Sequence, residues 1–176
     1  MPDGANKQPS SLQKVRNASP ILTRPVRISL AIDEAIIPKG KIKITNRIIY
    51  IRDYGRGIPL GKLGDCVSKI NTGAKYDSKV FKKSVGLNGI GTKAVNALSS
   101  YFKIKSVRDG KSKLIEFNRG VILNEESIQE NSSRKGTKVT FIPDEALFGK
   151  YRFINEYVEK MLWNYCYLNP GLTILY

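Results

Sequence analysis

Lys83-Ser84-Val85-Gly86-Leu87-Asn88-Gly89-Ile90-Gly91-Thr92-Lys93-Ala94-Val95-Asn96-Ala97-Leu98-Ser99 is the stretch on which the reading of this sequence turns. Its glycines come at spacings of three and two. After Gly91 the composition becomes helical, and Ala94, Val95, Ala97 and Leu98 predict an apolar helix face. A glycine loop feeding a helix start can hold an anion. The first-turn N–H groups are free, the helix dipole is positive there, and glycine lets the backbone approach. On the glycine spacing alone, an ordinary glycine-rich turn is the simpler account, because short motifs match by chance.

An upstream partner changes that balance. Asp53-Tyr54-Gly55-Arg56-Gly57-Ile58-Pro59 follows the β-like run Ile48-Ile49-Tyr50-Ile51-Arg52. An acid at a strand end is usually a turn former. Here two glycines follow it, so the carboxylate would stand at the mouth of a sheet beside backbone able to bend under a ligand. Two glycine loops, one with an acid and one opening a helix, suggest a nucleotide. The acid would take the base and the helix start the phosphates.

These residues resemble the ATPase domain of type II topoisomerase B subunits, those of DNA gyrase and, more closely, of topoisomerase IV. An acid-x-Gly-x-Gly loop is shared across the Bergerat-fold ATPases. The longer run from Asp53 to Pro59, then Gly86 to Gly91, then Val95-Asn96-Ala97-Leu98-Ser99, is similar to topoisomerases in particular. The resemblance covers Ile32 to Tyr176. It implies an α+β fold, a two-layer sandwich whose mixed, mostly antiparallel sheet carries helices on one face. Residues 1–24 read as a flexible, non-matching tail and residues 25–176 as the ATP-binding domain, ending before the family's transducer domain.

Composition is compatible with that expectation. A chain of 176 residues can bury a real core, and 41% hydrophobic with 26% charged residues is ordinary for a globular protein. The N-terminus lacks a signal-peptide apolar core. Cys66 and Cys166 are too few for a disulfide framework, and the absence of His argues against a zinc site. Both cysteines read as free thiols of a cytoplasmic protein. The formal net charge of +15 favours polyanionic partners, DNA or nucleotide phosphates, although a basic surface can also serve only solubility.

In chain order, residues 26–36 alternate like a strand at first and then read equally as a short amphipathic helix. Lys41 to Thr45, a turn at Asn46-Arg47 and Ile48 to Arg52 predict a hairpin. Gly61 to Ile70 predicts a helix, and Asn71 to Ser84 a basic lid loop before the phosphate turn. Tyr101 to Arg108, Lys113 to Phe117, Val121 to Leu123 and Gly136 to Pro143 predict strands. Phe153, Tyr157, Val158, Met161, Leu162 and Tyr165 follow helical spacing and predict a core-facing helix, before a last strand from Leu172.

The resemblance also implies roles. Asp53 would accept the adenine amino group, rejecting bases without that donor. Gly55 and Gly57 would let backbone pass close to the base, with Ile58 and Pro59 walling one side. Arg56 matches the motif arginine and Lys75 a lid lysine that contacts phosphate. Gly86, Leu87, Asn88, Gly89, Ile90 and Gly91 form the phosphate turn, and Thr137 is a second base contact. The implied cofactors are ATP and magnesium. The implied partners are DNA, bound mainly through other domains, the topoisomerase A subunit and a second B subunit.

Two catalytic positions depart from the pattern. The family's general-base glutamate falls on Val26 and its magnesium-binding asparagine on Leu30. Neither side chain can accept a proton or ligate a hard cation. Asp33 and Glu34 are the nearest carboxylates and would serve only if the alignment slipped. No Tyr precedes Tyr50, so the tail has none to reach across a dimer. Three readings follow: a topoisomerase ATPase segment, a nucleotide-binding module that has lost hydrolysis, or another Bergerat enzyme such as a histidine kinase core. The runs Arg56 to Pro59 and Val95 to Ser99 favour the first two.

Overall fold

The computed structural model describes residues 39–70, 72, 90–130 and 134–176. Among these residues seven strands form one sheet in the order β5-β4-β3-β6-β2-β1-β7. They are β1 (Lys39–Thr45), β2 (Ile48–Asp53), β3 (Ser99–Arg108), β4 (Lys111–Asn118), β5 (Val121–Glu125), β6 (Gly136–Pro143) and β7 (Thr173–Leu175). Within this sheet β1 and β7 pair in parallel, and the other pairings are antiparallel. The mixed, mostly antiparallel sheet expected from the sequence is therefore present.

Two-residue turns explain the hairpins. Asn46 (φ 53°) sits between β1 and β2, and Asp109 and Gly110 (φ 52° and 75°) between β3 and β4. A third turn, Arg119-Gly120 (φ 48° and 81°), joins β4 to β5 and has no counterpart in the sequence reading. Positive φ at both central residues, as in the second and third turns, matches the strand twist, and Asn, Asp and Gly adopt it most readily; in the first turn only Asn46 does so.

Alternation then sorts the side chains. Ile49, Ile51, Phe102, Ile104, Ile115, Phe117 and Phe141 point to one face and are buried. Leu63 and Val67 of α1 (Leu63–Ser68) and Val95 of α2 (Gly91–Ala97) close that face. Phe102 and Phe117 meet edge to face at 5.9 Å. Burial of each such ring contributes about 1.5–3 kcal/mol before entropy is counted. The expected helix from Gly61 to Ile70 is shorter, a 3-10 turn (Leu60–Lys62) followed by α1.

Two expectations about helix faces need correction. In α2 the inward residues are Lys93, Val95 and Asn96, while Ala94, Ala97 and Leu98 are exposed. The reason is a polar contact: the Asn96 amide donates to the Val67 carbonyl at 3.0 Å, clamping α2 to α1. In the helix after α3 (Glu145–Phe148), namely α4 (Asn155–Leu168), no residue is fully buried. Tyr157 and Met161 are exposed, and Val158, Leu162 and Tyr165 only half-buried. Among the described residues α4 lies against β7 at the sheet margin rather than over the core. Cys66 and Cys166 are free and half-buried, and burial pushes the Cys66 thiol up.

Candidate functional site

Asp53 is the last residue of β2, and strand alternation turns its side chain to the helix-covered face. It is only 6% exposed. Two backbone N–H groups donate to its Oδ1, from Gly55 at 2.9 Å and from Thr137 at 3.2 Å. Gly55 belongs to the turn that follows β2; Thr137 lies on β6, the neighbouring strand. Burial pushes the Asp53 carboxyl above its ordinary value, opposed by these two donors, by the Thr137 hydroxyl and by the charge of Arg52. Both backbone bonds end on Oδ1, so the carboxyl keeps acceptor capacity for a further donor.

Close backbone packing builds the walls. Gly136 has φ +120°, and a Cβ there would stand 2.3 Å from the Asp53 carbonyl oxygen and 2.9 Å from Tyr54 Cα. Gly57 has φ +77°, and a Cβ there would stand 2.4 Å from the Val107 carbonyl oxygen. Only glycine permits both approaches. The Ser106 hydroxyl, fully buried, donates to the Ile58 carbonyl at 2.8 Å. Arg108 reaches the Gly57 carbonyl at 3.4 Å. The loop after β2 is thereby pinned to β3.

The structure thus brings Asp53, Gly55, Gly57, Ile58 and Thr137 together. Ile58 packs against the core, whereas Arg56 and Pro59 are exposed. Ile90 caps the start of α2 and is 49% exposed; Gly91 is its first residue. Lys75, Gly86, Leu87, Asn88 and Gly89 lie outside the described residues, as do Val26, Leu30, Asp33 and Glu34 and the expected lid apart from Thr72. Sequence reasoning missed Gly136 and Ser106. Ser106 had one available signal: it continues the inward alternation Phe102, Ile104 with a polar residue, which calls for a buried partner.

No family model matches this chain. It is 50% identical over 152 residues to the B subunit of DNA topoisomerase 4 from Borreliella burgdorferi, covering 85% of this chain and 25% of that protein. It is 34% identical over 158 residues to the B subunit of DNA gyrase from Rickettsia typhi, covering 82% and 20%. The chain thus spans about a quarter or less of the curated relatives it matches. Among solved structures, the 43K ATPase domain of Thermus thermophilus gyrase B, in complex with an aminocoumarin, superposes with a TM-score of 0.63. That match has 24% identity and covers 78% of this chain and 37% of the other, which establishes the fold. The chain is a homologue of the B subunits of DNA topoisomerase IV and DNA gyrase, built on the fold of the gyrase B ATPase domain.

Proposed function

We propose that this chain is the adenine-nucleotide-binding segment of a type II DNA topoisomerase B subunit. In the whole protein, ATP would couple to passage of one DNA duplex through another, beside an A subunit and a second B subunit. The observation that supports nucleotide binding is the carboxyl of Asp53, buried at the mouth of the sheet and held by the Gly55 and Thr137 N–H groups. Such a group accepts a hydrogen bond from an exocyclic amine. Binding a base without that donor leaves the carboxylate unsatisfied, which is the source of base selection. Thr137 orients the carboxyl, and the tight approaches of Gly57 and Gly136 keep the surrounding loop rigid.

ATP would supply the phosphoanhydride bond whose cleavage resets the enzyme. The residues available do not fit hydrolysis in this chain. By the resemblance, the position of the water-activating base falls on Val26 and that of the magnesium ligand on Leu30. Neither apolar side chain provides an oxygen, so no step through magnesium is drawn. The function favoured for this polypeptide is therefore binding without turnover. Calorimetric titration of the 176-residue chain with ATP and with GTP tests the reading. Preference for ATP that disappears in Asp53→Asn is expected; equal affinity for both nucleotides would remove Asp53 from base recognition.

A further inference from the structure

The sheet face turned away from the helices carries an ordered row of positive charge. Strand register places Lys41 opposite Arg52, Arg52 opposite Lys138, and Lys138 opposite Lys105. Four cations from β1, β2, β6 and β3 thus stand side by side across the sheet. A second row behind them runs Lys43, Tyr50, Thr140, Lys103. Among the described residues, no carboxylate comes within 4.0 Å of Lys41, Lys43, Lys105 or Lys138; Glu116 is taken by Lys103 at 2.9 Å, with Glu126 also acting on that lysine, and Arg52 donates to the Arg134 and Lys135 carbonyls. A concavity of about 370 Å³ lies on this face at the β3–β6 side of the rows, lined by Lys105 and Lys138 of the first row, by Tyr50, Thr140 and Lys103 of the second, and by apolar neighbours beyond them.

Like charges directly opposed across strands destabilise a sheet. A solvated basic surface has no need of such alignment, because scattered lysines would serve as well. We propose that this row is a docking surface for the phosphodiester backbone of duplex DNA, bound without reading its sequence. Adjacent strands lie about 4.8 Å apart, so the row spans about 14 Å. Duplex DNA presents on the order of eight phosphate charges along that length. Single-stranded nucleic acid fits less well, because it needs free aromatic faces for stacking. Here Tyr50 and Tyr101 are half-buried, the Tyr101 hydroxyl is bound to Glu116, and Arg52 lies over the Tyr54 ring at 5.4 Å. The surface is distinct from Asp53, which points to the other face of the sheet.

The test is fluorescence anisotropy of the 176-residue chain with a labelled 20-base-pair duplex of mixed sequence, without nucleotide, from about 50 to 200 mM salt. The expected binding weakens with salt at a logarithmic slope near −3.6, that of about four phosphate contacts. Lys105→Gln with Lys138→Gln is expected to lower affinity at least tenfold and to flatten that slope by about two. Lys150→Gln with Lys160→Gln removes the same charge elsewhere and is expected to change affinity by less than threefold. Removing opposed like charges relieves repulsion, so the first pair should melt no lower than the wild type, which separates lost binding from lost folding. Equal weakening by both pairs, or no binding of the duplex, overturns the proposal. So does tighter binding of a 20-nucleotide single strand, which would assign the face to unpaired nucleic acid. Asp53→Asn should leave duplex affinity unchanged, so this result stands apart from the nucleotide titration.

Discussion

Thr137 lies 84 residues beyond Asp53, yet its N–H donates to Asp53 Oδ1 at 3.2 Å. The bond crosses from β6 to the end of β2 and makes the strand pairing part of the site. Any change that separates the two strands there removes one of the two N–H donors that hold the carboxyl.

Asp53→Asn is expected to weaken ATP binding by about 1–3 kcal/mol, the cost of facing a donor with an amide that can present its own donor. The amide oxygen can still accept from Gly55 and Thr137, so the fold should persist. The Asp53 carboxyl sits above the ordinary aspartate value of 3.8, chiefly through burial. Its contribution to stability is therefore complete below that value and is lost as pH rises through the higher folded-state value. The amide of the variant cannot ionise, so urea denaturation between about pH 3 and pH 6 should show Asp53→Asn gaining on the wild type as pH rises.

Gly136→Ala is expected to be strongly destabilising. Its Cβ would meet the Asp53 carbonyl oxygen at 2.3 Å, and φ is +120°. Strain of this kind costs about 1–3 kcal/mol even without the clash. Gly110→Ala is the control: its φ is +75°, but nothing lies within 4 Å of the added carbon. A larger fall in the urea midpoint for Gly136→Ala is the expected result, and equal falls would mean that the close approach to Asp53 contributes nothing.

Arg119 grips Asp144 with two nitrogens, Nε at 2.5 Å from Oδ2 and Nη2 at 3.1 Å from Oδ1. Asp144 also accepts from the Ala146 N–H and so starts α3. The arginine holds the carboxyl below its ordinary value, followed in effect by the Ala146 bond. The stabilisation is present above the ordinary value of 3.8 and is lost as pH falls through the lower folded-state value. Asp144→Asn should melt below the wild type at neutral pH, and the gap should narrow on acidification. A gap independent of pH would show that charge is not the cause.

Phosphate release by the purified chain is expected to stay at background. Loss of a general base alone costs ~10²–10⁴ in rate. Val26→Glu with Leu30→Asn should raise turnover if those positions carry the roles that the resemblance assigns to them. Clear turnover by the unmodified chain would transfer the base role to Asp33 or Glu34.

Local pattern determined much of this protein. Period-two alternation marked β1 and β6, because inward and outward positions of a half-buried strand demand opposite polarity; the bounds of β6, Gly136 to Pro143, were readable as they stand. Turn chemistry at Asn46 and Asp109 closed two hairpins for the same local reason. Asp53 was visible as an acid ending an apolar strand before two glycines. Tertiary structure alone decided the rest, because it depends on partners distant in the chain. The inward face of α2 was settled by the Val67 carbonyl that Asn96 meets, not by its alanines. Gly57 is needed because Val107 comes within reach from β3, and Gly136 because β6 lies against the end of β2. The cation row exists only in the registers of β1, β2, β6 and β3, and no single strand contains it. A strand states which residues share a face, but only pairing states which of them become neighbours.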